Sequence, residues 1–226
     1  MTVYAALREA FLVVDDAPTA TLTGHDCECV AVHPDRPERI FVGTFGAGLH
    51  RSTDGGHTFE RVGVDAIDPG EDPEHAARRG AGRDGVSVMS AAVNPHDPDE
   101  VWVGTEPSAL FHSTDGGATF EQVGDLTSHS TATEWSFPPR PYTHHVRWVE
   151  PDPHAEGRLY VGIEAGALLV TDDRGATWTE RPPGSRRDNH SLATHPSAEG
   201  RVYSAAGDGY AESTDAGEHW AHSQDG

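Results

Sequence analysis

Ser113-Thr114-Asp115-Gly116-Gly117-Ala118-Thr119-Phe120 is the stretch that decides the fold, because it occurs four times. It recurs as Ser52-Thr53-Asp54-Gly55-Gly56-His57-Thr58-Phe59. Looser copies are Thr171-Asp172-Asp173-Arg174-Gly175-Ala176-Thr177-Trp178 and Ser213-Thr214-Asp215-Ala216-Gly217-Glu218-His219-Trp220. The common pattern is Ser/Thr-x-Asp-x-Gly-x-Thr/His-aromatic, and its chemistry is that of a turn. The Asp carboxylate accepts backbone N–H groups two or more residues on, and the hydroxyl adds a second local bond. The Gly supplies a left-handed backbone at no steric cost. The aromatic then starts the next strand. Asp54, Asp115, Asp173 and Asp215 are therefore read as structural turn residues.

Around each box the same order returns. Short runs rich in Val, Ile, Phe and Tyr are bounded by Pro, Gly and Asp, which predicts strands and turns. The first full unit has strands at 29–33, 39–43, 49–52 and 59–62. The second has them at 90–94, 101–104, 110–113 and 120–123. The third has them at 146–150, 159–162, 168–171 and 178–181, and the fourth at 191–195, 202–205, 210–213 and 220–223. Residues 3–7, 11–14 and 20–23 fit three strands of an N-terminal unit whose box has decayed to Asp15-Asp16-Ala17-Pro18. The box aspartates are 61, 58 and 42 residues apart. Several short strands per unit at such a period predict a β-propeller. The expected fold is an all-β propeller in one domain over 1–226. A partial blade spans 1–24, and four-stranded blades lie at about 25–63, 86–124, 144–182 and 189–226. The chain stops after the fourth strand of the last unit. A truncation that lacks a blade is therefore favoured over closure by five blades. Helical periodicity is absent; residues 74–79 make at best one turn. Two loops, 63–85 and 124–143, are longer than the repeat needs, and such insertions are often functional.

Among 226 residues there are 16 basic and 37 acidic side chains, for a net charge of −21, and every basic residue is Arg. Such a Lys-free acidic surface resembles proteins of extreme halophiles. Molar salt screens its self-repulsion to about 3 Å, whereas low salt leaves the repulsion in place. The same charge argues against nucleic acid and anionic membranes as partners. Two cysteines, Cys27 and Cys29, make no disulfide framework. No leader or membrane-spanning run is visible, so the expected compartment is the cytoplasm.

The four boxes in their strand context resemble the Asp-box (BNR) repeat family of β-propellers over essentially the whole chain. That repeat occurs in sialidases and other glycoside hydrolases, in the sortilin ectodomain and in photosystem II assembly factors. Phe41-Val42-Gly43-Thr44 and Trp102-Val103-Gly104-Thr105 look most like the assembly-factor and WD40/YVTN-like branch. The sialidase arginine triad has no counterpart here, so none of its catalytic residues is carried over. In that family the boxes lie away from the ligand mouth, which the loops at the other strand ends build.

Aligning the units on Pro34, Pro95, Pro151 and Pro196 brings Glu28, Met89, His145 and His190 to one position, with His144 and Asp188 just before it. The loops between second and third strands add Glu106, Glu164 and Asp208. His145, His190 and Glu28 are candidate ligands of a divalent metal such as Zn²⁺ or Mn²⁺. Glu106, Glu164 and Asp208 are candidate acid–base carboxylates of a glycosidase. Trp135, Phe137, Arg147, His144 and Asp188 are candidate ligand contacts, by stacking and anion clamping. Three functions stay open: a binding or scaffold propeller holding a protein, small molecule or glycan at its mouth, a sialidase-like glycoside hydrolase, and a metal-dependent enzyme.

Overall fold

Each repeat folds into a small antiparallel meander. A computed structural model describes residues 2–68 and 86–222. β1 (Val3–Leu7), β2 (Ala10–Val14) and β3 (Thr19–Thr21) form a three-stranded sheet. β4 (Cys27–His33), β5 (Arg36–Thr44), β6 (Gly48–Ser52) and β7 (Glu60–Val62) form the first four-stranded sheet. β8 (Ser87–Asn94), β9 (Asp97–Glu106), β10 (Leu110–Ser113) and β11 (Glu121–Gln122) form the next. Then come β12 (Val146–Pro151), β13 (Leu159–Ile163), β14 (Ala167–Thr171) and β15 (Thr179–Glu180). β16 (Asn189–Thr194), β17 (Val202–Ala206), β18 (Gly209–Ser213) and β19 (Ala221–His222) close the order. The sequence-based expectation of four full sheets and a three-stranded one is met. The fold class is all-β, of the β-propeller type.

The one α-helix among the described residues, α1 (Val64–Ile67), is a single turn with Ile67 buried. It falls inside the long loop where no helix is expected from periodicity, because four residues carry no period. The predicted turn at 74–79 lies outside the described residues. The loop at 124–143 contains two 3₁₀ turns, Leu126–Ser128 and Ala132–Glu134.

The four box turns share one bonding scheme. In the second, Asp115 Oδ1 accepts the backbone N–H groups of Ala118 and Thr119, each at 2.9 Å, and the Ser113 hydroxyl at 2.8 Å. Asp115 Oδ2 accepts the Thr119 hydroxyl at 2.6 Å. Ser113 Oγ accepts the Gly117 N–H at 2.9 Å. In the fourth copy His219 Nδ1 replaces the threonine hydroxyl, 2.8 Å from Asp215 Oδ2. These donors hold the Asp115, Asp173 and Asp215 carboxyls down near about 2, and they lower that of Asp54 too.

Two consecutive residues of each box have positive φ. The first is Gly55, Gly116, Arg174 or Ala216, but the second is always Gly. In three of the four boxes a Cβ on the second would strike an apolar side chain of the preceding sheet; at Gly175 it would meet Val123 Cγ1 at 2.4 Å. At Gly56 it would meet Val13 Cγ2 at 2.9 Å and Phe11 Cε1 at 3.0 Å. At Gly117 it would meet Phe41 Cε1 at 2.5 Å, and at Gly217 Tyr160 Cε1 at 2.8 Å. The box thus turns the chain and also packs one sheet on the last.

The second strands of the three middle sheets, β5, β9 and β13, are buried on both faces along their apolar stretches, which read as unbroken runs, whereas β2 and β17 alternate. Ile40, Phe41, Val42, Val101, Trp102, Val103, Tyr160 and Val161 are all fully buried. The fourth strands are only two or three residues long, which limits unpaired edge.

The described chain forms two compact units. One comprises Met1–Val93, Asp97–Thr105 and Phe111–Gln122; the other comprises Asn94–His96, Glu106–Leu110 and Val123–Gly226. In the first, Phe11, Val13, Cys27, Ile40 and Val42 make a core cluster, and Phe11 meets Phe59 edge-on at 5.3 Å. In the second, Tyr160, Leu168, Val170, Leu192, Val202, Ala211 and Trp220 cluster between the β12–β15 and β16–β19 sheets. No helix among the described residues is long and apolar enough to cross a membrane.

Candidate functional site

The candidate site lies in the second unit, and β-bulges build it. Val146 pairs with Ile163 and Trp148 with Gly162, so Arg147 is the extra residue of β12. Asn189 pairs with Ala206 and Ser191 with Ala205, so His190 is the extra residue of β16. In the first unit Cys27 pairs with Thr44 and Cys29 with Gly43, which makes Glu28 the extra residue of β4. A bulge re-aims one side chain at the end of a strand. Glu28, Arg147 and His190 are therefore structural equivalents.

This corrects the alignment on prolines. Pro151 pairs with Leu159, and its counterpart in the second sheet is Val32, which pairs with Ile40. The proline register slips by two residues in the β12–β15 sheet. His145 is thus the equivalent of Asp188, not of His190. Glu164 follows β13 at the end opposite the Asp173 turn, and Asp188 precedes β16 at the end opposite the Asp215 turn. Within this unit, the cluster and the boxes occupy opposite strand ends.

His145 is the centre. It is 1 % exposed, and its Nε2 lies 2.8 Å from Glu164 Oε2. Its Nδ1 lies 3.2 Å from Glu106 Oε2, an ion-pair contact without hydrogen-bond alignment. Arg140 forks onto Glu106, with Nε 3.1 Å from Oε1 and Nη2 2.6 Å from Oε2. Arg147 Nε is 3.5 Å from Glu164 Oε2. His190 Nε2 is 3.7 Å from Glu164 Oε1 and 3.5 Å from Asp188 Oδ1. Asp188 Oδ1 also accepts the Ala165 N–H at 2.9 Å.

Burial alone would raise the carboxyl pKa of Glu106 and of Glu164. The close His145 imidazole outweighs it in both, aided by Arg140 at Glu106 and by His190 and Arg147 at Glu164, and both end lowered. Burial would likewise lower the His145 pKa, but the two glutamates outweigh it and raise it. The core of the site is therefore an imidazole between two carboxyl groups, and each contact favours the charged form of both partners.

The other predicted residues take distinct places. Phe137 packs edge-on to His145 at 4.8 Å, and Arg140 sits over its ring at 4.6 Å. Trp135 is 6 % exposed, donates to Thr131 Oγ1 at 3.1 Å and meets His144 edge-on at 5.6 Å. It packs inside the protein, so the expected Trp135 stacking wall gives way to a core role. Asp208 accepts the N–H groups of Arg187 at 3.3 Å and Asp188 at 3.4 Å, which positions that loop. Glu28 lies on β4 in the first unit. Arg140 was missed as a site residue. The signal available was its place in the long insertion beside Phe137, where a bare charge gives no direction.

Among the described residues, Glu164, Asp188 and His190 place one ligand atom each within 4.8 Å of one another, as a metal site would. His145, expected as a ligand, instead has its nitrogens turned to Glu106 and Glu164.

No protein-family model matches the sequence. An oligoxyloglucan-reducing end-specific xyloglucanase of Emericella nidulans is 30 % identical over 164 residues, covering 70 % of this chain and 18 % of that protein. A probable enzyme of the same name from Neosartorya fischeri is 28 % identical over 176 residues, covering 75 % and 19 %. The chain thus spans under a fifth of the curated relatives it matches. Among solved structures, a GH74 xyloglucanase from Xanthomonas campestris superposes with a TM-score of 0.69 at 20 % identity, covering 98 % of this chain and 35 % of that one. YCF48 bound to a peptide gives 0.57 at 16 % identity, covering 98 % and 57 %. At these identities the likeness shows the fold.

Proposed function

We propose that this chain is part of a ligand-binding β-propeller of the Asp-box class. Its ligand is a polar glycan, held by Arg147, Asp188 and His190 beside the Glu106–His145–Glu164 network. One observation carries the choice of binding over hydrolysis: both glutamates are held ionised by His145 and an arginine. A glycosidase needs one carboxylic acid kept protonated, with a raised pKa, to protonate the leaving oxygen. Neither glutamate has that environment. Arg147, Asp188 and His190 keep 34, 33 and 49 % of their side chains exposed, so their polar ends can meet hydroxyl groups. The similarity to xyloglucan-cleaving proteins supports a glucan as the ligand.

The test is calorimetric titration of the full chain with xyloglucan oligosaccharides in molar KCl, with reducing ends assayed in the same samples. Saturable heat that is lost in Arg147→Ala, without release of reducing ends, is the expected result. No heat with any oligosaccharide defeats the glycan reading. Release of reducing ends that disappears in Glu164→Gln restores the hydrolase reading.

A further inference from the structure

We infer that Glu164, Asp188 and His190 form a site for a divalent first-row metal ion, Zn²⁺ or Mn²⁺. The argument starts from distances. His190 Nε2 stands 3.7 Å from Glu164 Oε1 and 3.5 Å from Asp188 Oδ1. Both exceed the span of an N–H···O hydrogen bond, about 2.7–3.2 Å. They lie at or just beyond the edge of a coordination polyhedron, roughly 3–3.5 Å for ligands about 2.0–2.2 Å from one ion, and all three ligand atoms lie within 4.8 Å of one another. The imidazole is aimed at two carboxylates and bonded to neither.

The surroundings orient all three groups. His145 donates to Glu164 Oε2, which leaves Oε1 on the His190 side. The Ala165 N–H binds Asp188 Oδ1 at 2.9 Å, and Asp208 holds the loop that carries Asp188. Such outer partners fix the direction of first ligands. His190 gets its aim from the bulge in β16.

Gly207 leaves room for the same cluster. It follows β17 as Glu164 follows β13, and it is not among the residues with positive φ. Its reason is steric: a Cβ there would lie 2.1 Å from Asp188 Oδ2 and 3.3 Å from His190 Nε2. Two carboxylates and one imidazole suit Mn²⁺ or Zn²⁺, with water completing the shell. The other grouping, Asp215, Glu218 and His219, is exposed, and both Asp215 oxygens already serve their own turn.

The inference shares Asp188 and His190 with the glycan reading but does not rest on it, and its test contains no sugar, so either can fail alone. The full chain is stripped with chelator and dialysed against MnCl₂ or ZnCl₂ alone, and bound metal is counted per chain. Mn²⁺ is also followed by its electron paramagnetic resonance. One ion per chain is expected. Affinity should fall at least about a hundredfold in His190→Ala and about tenfold or more in Gly207→Ala, and stay unchanged in His219→Ala. Asp188→Asn is the second ligand variant, in case His190→Ala does not fold. No stoichiometric ion, or binding that survives both His190→Ala and Asp188→Asn, overturns the inference. So does binding lost in His219→Ala.

Discussion

Gly55 and Gly56 are adjacent, and both have positive φ, at 77° and 92°. Their surroundings differ. A Cβ on Gly55 would meet nothing within 4 Å, whereas one on Gly56 would meet Val13 and Phe11 at 2.9 and 3.0 Å. Gly55→Ala should therefore cost only the left-handed backbone, about 1–2 kcal/mol. Arg174 and Ala216 occupy that position in other copies. Gly56→Ala carries the same backbone cost plus overpacking against a fully buried Phe11, about 1–3 kcal/mol more. The pair is compared by denaturant unfolding in molar KCl, at matched slope. The second variant should lose at least about 1 kcal/mol more than the first, or roughly 2–4 °C in Tm per kcal/mol. Equal losses would refute the claim that the second glycine is there for packing.

Tyr160→Phe should destabilise by about 1–3 kcal/mol, read by the same unfolding assay. The buried hydroxyl sits 2.9 Å from Asp152 Oδ2 and 3.0 Å from the Ala216 carbonyl; its single proton serves one of them, and its loss leaves that acceptor without a donor. Stability should fall on both sides of a plateau in pH. The raised His145 contributes fully below its unfolded value, near 6.5, and loses that contribution as pH rises through its higher folded value. The lowered Glu106, Glu164 and box aspartates contribute above their unfolded values, about 4, and lose it as pH falls through their lowered folded values, which for Asp115 is about 2. Calorimetric melts across pH should show both limbs, and His145→Gln should flatten the alkaline one. Melts at rising KCl should show a rising midpoint, because a net charge of −21 repels itself least in high salt.

The sheets were legible because turn chemistry is local. Ser or Thr, Asp, Gly, and Thr or His within seven residues encode the bonds of the box, and doubly buried strands such as 101–103 show as apolar runs. The site was only half legible. Glu106 and Glu164 follow the same Val-x-Val-Gly or Val-Gly strand and could be aligned by eye. The bulges at Arg147 and His190 leave no mark in composition, since a bulge is a matter of pairing and not of residue type. The two-residue slip at His145 has another cause: Pro34 and Pro196 stand six residues after their bulges, and the proline in that place after Arg147 is Pro153, not Pro151. The pairing of Arg140 with Glu106 joins residues 34 apart in sequence, across an irregular loop that has no period to read.

The box glycines also bear on how such a chain can be rearranged. Gly56 rests on Phe11, Gly117 on Phe41 and Gly217 on Tyr160, each in the sheet before its own. The heritable module is therefore not the sheet. It is an overlapping pair, with the socket in one repeat and the plug in the next. A duplication or graft cut at sheet boundaries would separate them and join a glycine to a foreign aromatic. Shuffling should succeed only between repeats whose preceding neighbours offer an aromatic of similar size.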